Sequence, residues 1–375
     1  MVAKKIVRIQ DVVGLLNTLY PPVLAEEWDN VGLQVGDPTA VVSRVAVSLD
    51  PSPVAVEEAI KLGAELLVCH HPLIFRPLKQ VTTKDETGRL VGTALRAGLS
   101  IMAAHTNLDR AHNGLNVWLA QTLDLIETLP LETPAGLLFK LIVFVPVEHQ
   151  DVVAEALFEA GAGHVGAYDR VSFRGVGNGT FRPSAGTNPF MGRIGEVESV
   201  DEVRLEVLVR KEALSRVLNR LLKTHPYEEV AYDVVPVVKN RTDIGLGRIG
   251  RLSRASTLDE VLLQIKAALK VETLRVAGSG DGMIKKVAVC GGSGASLLQA
   301  ASRQGADLLL TGDVSYHDAR RAEELGLTVV DAGHFATEHI VIEQLTRALK
   351  GEAKERGLDF EVSAVTGEQD PFRTA

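Results

Sequence analysis

With 375 residues the chain has the length of two or three domains, at roughly 100–200 residues each, and 46% hydrophobic and 23% charged residues exclude a disordered tail, a collagen-like rod or a coiled coil. The 40 basic and 48 acidic residues leave a net charge of −8, which argues against a broad nucleic-acid or anionic-membrane surface. Two cysteines, Cys69 and Cys290, make no disulfide framework and point to a reducing cytosol.

The N-terminal stretch MVAKKIVRIQDVVGLL carries early charges but no uninterrupted apolar run and no small-residue cleavage site, so no signal peptide is expected. No stretch approaches the ~18 apolar residues of a membrane span. From here to Leu129 strand and helix signals alternate, as in parallel sheets covered by helices. Gly63-Ala64-Glu65-Leu66-Leu67-Val68 reads as a helix end followed by a buried strand, and it leads into Cys69-His70-His71-Pro72. Pro72 biases His71 toward an extended conformation, so the two imidazoles should point to opposite sides and serve two adjacent ions, one each. Taken alone, the pair reads first as two hydrogen-bonded histidines at a strand end. Ser100–Ala104 is a second such strand and runs into the polar turn that carries Asp109, a residue that by itself suits a turn or helix cap.

Prolines and a glycine in Leu129–Gly136 predict a linker. Beyond it come strand Phe139–Val145, helix Gln150–Ala160, strand Arg170–Val176, strand Glu202–Arg210, helix Lys211–Thr224 and strand Val230–Val237, the βαββαβ order of a ferredoxin-like unit. Gly177–Glu198 is expected as an exposed excursion between the middle strands. Lys239–Arg251, with Gly245, Gly247 and Gly250, marks a second boundary. The expected organisation is α/β throughout: a first half over 1–134, an inserted ferredoxin-like domain over 135–238 and a related second half over 239–375.

In the second half, Cys290-Gly291-Gly292-Ser293-Gly294 follows a strand and precedes a helix, as a phosphate cradle or a plain turn would. Gly305-Ala306-Asp307-Leu308-Leu309-Leu310 repeats the pattern at Gly63, which sets Asp313, Tyr316 and His317 where His70 and His71 stand in the first half. Those three either contact substrate across a shared cleft or simply open a helix. Thr328–Asp331 is the last strand of this kind, and after Gly333 a helix begins on which His334 and Glu338, four apart, share one face. His70, His71, Asp109, His334 and Glu338 form a mixed N/O set suited to Zn, Fe, Mn or Co. Five ligands exceed one open tetrahedral site and suit two divalent ions, with Glu338 as the bridge.

Motifs spread along the chain carry a resemblance: Trp28-Asp29-Asn30-Val31-Gly32, His70-His71-Pro72-Leu73-Ile74-Phe75, His105-Thr106-Asn107-Leu108-Asp109, His225-Pro226-Tyr227-Glu228-Glu229, Thr311-Gly312-Asp313-Val314-Ser315-Tyr316-His317, and Gly333-His334 through Glu338. In these the sequence resembles the NIF-three-like family, whose bacterial members are named GTP cyclohydrolase 1 type 2 homologues. The resemblance implies a two-metal site on the same five residues, a toroidal homo-hexamer in the cytoplasm, and an insert similar to the PII and CutA proteins. Catalytic residues stay unassigned, with Asp313, His317 and His105 as candidates. Two functions follow: a metal-dependent hydrolase of a nucleotide or related small molecule, or a metal-binding regulatory or chaperone-like assembly whose insert senses a small effector.

Overall fold

The computed structural model describes residues 6–239, 241–278, 280 and 282–373. Residues 1–5 of the stretch read for a signal peptide, and Asn240 in the second expected boundary, lie outside the described residues. The chain first lays down β1 (Gly32–Val35), β2 (Arg44–Ser48), β3 (Leu66–Cys69), β4 (Ser100–Ala103) and β5 (Ile126–Glu132). Next come β6 (Leu138–Pro146), β7 (Ser172–Phe181), β8 (Glu198–Arg210) and β9 (Tyr232–Pro236). The remainder supplies β10 (Leu246–Ser256), β11 (Arg275–Ala277), β12 (Ile284–Ser293), β13 (Leu308–Gly312), β14 (Thr328–Asp331) and β15 (Glu361–Ala364). They form sheets ordered β1-β4-β3-β2-β15, β11-β14-β13-β12-β10-β5 and β7-β8-β6-β9. Two compact units result, one from Pro134–Arg241 and one from the flanking segments together.

In the flanking unit the two sheets repeat one design. β2, β3 and β4 run parallel with β1 antiparallel at the edge, and β12, β13 and β14 run parallel with β11 antiparallel at the edge. Every residue of β3 and β13 is buried, as expected of central parallel strands covered on both faces. The repeat extends to side chains. Gly63 and Gly305, with φ of 69° and 71°, end their helices in the left-handed conformation that glycine adopts without penalty. Two residues on, the Glu65 carboxylate accepts the amides of Ser43 and Arg44 at the start of β2, while that of Asp307 accepts those of Lys285 and Lys286 in β12.

In the flanking unit three expectations about strands and boundaries require correction. The interval Leu129–Gly136 is a linker only from Thr133 onward, because β5 runs through Pro130. Proline is tolerated there since β5 is the sheet's edge strand, with no further strand beside it among the described residues. Gly247 and Gly250 belong to β10 rather than to a connector, where close packing demands them: a Cβ would lie 2.9 Å from Leu297 Cδ1 at the first and 2.9 Å from Ile126 O at the second. Finally, the halves 1–134 and 239–375 trade strands. β5 pairs with β10 in the second sheet, and β15 pairs in parallel with β2 in the first.

Within the Pro134–Arg241 unit the antiparallel order β7-β8-β6-β9 is that of a ferredoxin-like sheet. Alternate residues Leu141, Val143 and Val145 of β6 and Leu205, Val207 and Val209 of β8 pack on Val153, Leu157, Val217 and Leu221 of the helices Gln150–Glu159 and Lys211–Thr224. The β7–β8 hairpin is longer than expected, which shrinks the excursion to residues 182–197. Gly177 and Gly179 stay in register opposite Glu202 and Val200 instead of starting a loop. Among the described residues no helix is long and apolar enough to cross a membrane.

Candidate metal centre

The polar cluster forms where the C-terminal ends of the two parallel sheets face each other, the edge at which open α/β sheets gather ligands. After β3 the chain bends at His70 and His71, and after β4 the short helix Thr106–Arg110 carries Asp109. From the second sheet, Asp313 follows β13, and the short helix His334–Glu338 follows β14. Gly333, at φ 87°, makes the turn into that helix.

Each imidazole is anchored through Nδ1. His70 donates to Ala104 O at 2.8 Å, His71 to Asp50 Oδ1 at 2.7 Å, His334 to Asp313 Oδ2 at 2.7 Å and His105 to Asp29 Oδ1 at 2.9 Å. Fixing Nδ1 leaves Nε2 to face the cluster, the arrangement of metal-ligating histidines. Glu338 Oε2 lies 2.9 Å from Nε2 of both His71 and His334, and its Oε1 lies 3.8 Å from His70 Nε2. His70 Nε2 and Asp109 Oδ1 are 3.6 Å apart, buried, and without a hydrogen-bond partner. Buried polar atoms are costly to leave unpaired, so these two fit a cation held between them. Ligand atoms of His70, His71 and His105, and of His71, His334 and Glu338, lie within 4.8 Å of one another in two groups that share His71.

The expectation that His70 and His71 point to opposite sides is corrected. Their ring centroids are 5.0 Å apart, because β3 ends at Cys69 and strand alternation stops with it. Burial would push the Glu338 carboxyl up, but the contacts of His334, His70 and His71 hold it well below the usual carboxylate range. Burial also disfavours charge on His71, yet Asp50 and Glu338 raise it to about 10; Glu338 raises His334 to about 9 against burial. On Asp109 burial dominates and pushes the carboxyl up. Both thiols are buried and pushed up by that burial, so neither is an available nucleophile.

Asp313 sits at the cluster through His334, whereas His317 is exposed and its ring contact is with Tyr316, at 5.5 Å. The glycine run at the end of β12 is not a phosphate cradle. The amides of Gly291, Gly292 and Gly294 are already donated to Asn116 Oδ1, Thr337 Oγ1 and Thr311 Oγ1. It serves the cluster instead: a Cβ on Gly292 would lie 2.2 Å from Glu338 Oε1. Sequence reasoning also missed Asp50 and Asp29. Asp50 stands just past the end of β2, a position as telling as that of Asp313. Burial works against ionisation of Asp29, but hydrogen bonds from His105 and Thr106 hold it down at about 2.

Sheet order and cluster together define a pseudo-symmetric α/β protein with one histidine–carboxylate centre between its two repeats. The sequence pattern of the Duf34/NIF3 (NGG1p interacting factor 3) family matches residues 7–371, and the chain belongs to this family. It is 43% identical over 370 residues to a GTP cyclohydrolase 1 type 2 homolog of Halalkalibacterium halodurans, covering 98% of this chain and 99% of that protein. The protein of the same name in Bacillus subtilis is 42% identical over 98% of this chain and 99% of its own length. The crystal structure of a Bacillus cereus protein related to NIF3 matches with a TM-score of 0.88 at 38% identity, over 99% of this chain and 100% of that one.

Proposed function

We propose that the protein is a hydrolase of a nucleotide or related small molecule that works with two divalent ions, held by His70, His71, Asp109, His334 and Glu338. The observation that carries this reading is the pair of buried atoms without partners, His70 Nε2 and Asp109 Oδ1, inside a ring of imidazoles whose Nδ1 atoms are all anchored. Such a pair of ions supplies Lewis acidity and an activated water. Glu338, with one oxygen toward His70 and the other toward His71 and His334, is placed to bridge. Asp50 and Asp313 hold two of the rings in orientation through Nδ1. His105, oriented by Asp29 and directed at His70 and His71, is a further ligand or a proton-handling group beside substrate. Asp313 and His317 are the remaining candidates for substrate contact. The cyclohydrolase name of the relatives puts opening of a purine nucleotide ring among the reactions to try. In the same reading the insert is a PII/CutA-like module, which its βαββαβ order supports, and the working assembly is a homo-hexamer.

The test is turnover screening of the metal-loaded protein against nucleotides and phosphoesters, with His70→Ala as control. Turnover that disappears both in the variant and on chelation is expected. Turnover that survives chelation would overturn the reading in favour of a different catalyst.

A further inference from the structure

A cavity of about 650 Å³ lies wholly within the Pro134–Arg241 unit, inside the roughly 300–1,000 Å³ range of small-molecule sites. Strand side chains alternate, so Phe173, Gly175, Gly177, Gly179 and Phe181 of β7 share one face, and two phenyl rings bracket a bare strip of backbone. The rings of Phe181 and Phe190 stand 5.9 and 6.3 Å from that of Tyr227, giving the cavity a wall of aromatic faces.

Its polar element is Glu202, directly opposite Gly177 in the ladder and only 9% exposed. Oε1 accepts the Tyr227 hydroxyl at 2.9 Å. Oε2 lies over Gly179, where a Cβ would come within 2.1 Å of it, and accepts no hydrogen bond among the described residues. The neighbouring cation, Arg204, is paired with Glu206 at 3.0 Å, while Glu228 and Glu229 add acidic charge at the cavity. A buried carboxylate with a free oxygen beside aromatic faces is complementary to a flat cation.

We propose that this cavity binds a planar, positively charged nitrogen heterocycle whose N–H donates to Glu202 Oε2 while its ring lies against Phe181, Phe190 and Tyr227. The site stands apart from the hydrolase reading and would give the insert an effector of its own.

Fluorescence titration of the full-length protein with proflavine, a flat cation bearing N–H donors, tests it. Acridine, neutral at mildly alkaline pH, and the anionic anilinonaphthalene sulfonate serve as comparisons. Proflavine should saturate at one per chain, and Glu202→Gln should weaken it about tenfold or more. Gly177→Val should abolish binding without unfolding the strand, since a Cβ at Gly177 meets nothing within 4 Å; an unchanged melting temperature checks the fold. Equal binding of all three probes, indifferent to Glu202→Gln, would overturn the proposal and leave a plain apolar surface. Absence of proflavine binding, with Gly177→Val lowering the oligomer size, would overturn it too and assign the face to contact between copies.

Discussion

Glu338 is the residue on which the cluster turns, because its single charge is shared by three imidazoles. In the metal-free protein that charge raises His71 and His334 from 6.5 to about 10 and about 9. A group whose folded pKa is raised stabilises the fold fully below its unfolded value and ceases to do so as pH rises through the folded one. Chelated protein should therefore lose thermal stability between about pH 6.5 and 10, and Glu338→Gln should flatten that slope. A melting temperature that rises over the same window would contradict the assignment. Gly292 is the second decisive residue. Alanine at its φ of 58° costs about 1–2 kcal/mol and drives a methyl into Glu338 Oε1. Gly292→Ala should weaken divalent-ion binding at least about tenfold by displacing a ligand, measured by calorimetric titration.

At the level of elements, β10 depends on a buried arginine. Arg248, 2% exposed, donates to the carbonyls of Gly245, Gly247 and Ala111 at 2.6, 2.9 and 2.9 Å, and burial lowers its pKa to about 10. Arg248→Met keeps the length but leaves those acceptors unpaired, so denaturant unfolding should show a loss of about 3 kcal/mol. Elements of this kind mark the limit of sequence reading. His70, His71, Asp109, His334 and Glu338 were legible because each follows an apolar strand run, a local signal. Asp29 was not, because it meets His105 across 76 residues, and neither was the placement of Gly292 against Glu338. The insert's strands were visible from alternation, but the exchange of β5 and β15 was not, since an edge strand's choice of sheet is decided by pairing far along the chain.

For the whole molecule, Glu132 and Leu246 are direct ladder partners, so the insert is strung between adjacent strands β5 and β10. A short glycine-rich linker can therefore replace residues 134–241 and leave Thr242–Gly245, with the Gly245 carbonyl that Arg248 needs, in place. The shortened protein should fold and bind metal as the full chain does. A folded but metal-blind product would mean that the insert contributes to the centre.

Two ions with Glu338 between them would be counted by elemental analysis after reloading with divalent metal. Close to two ions per chain are expected, falling in Glu338→Ala. A reproducible single ion per chain, unchanged in Glu338→Ala, would rule out a two-ion centre bridged by Glu338.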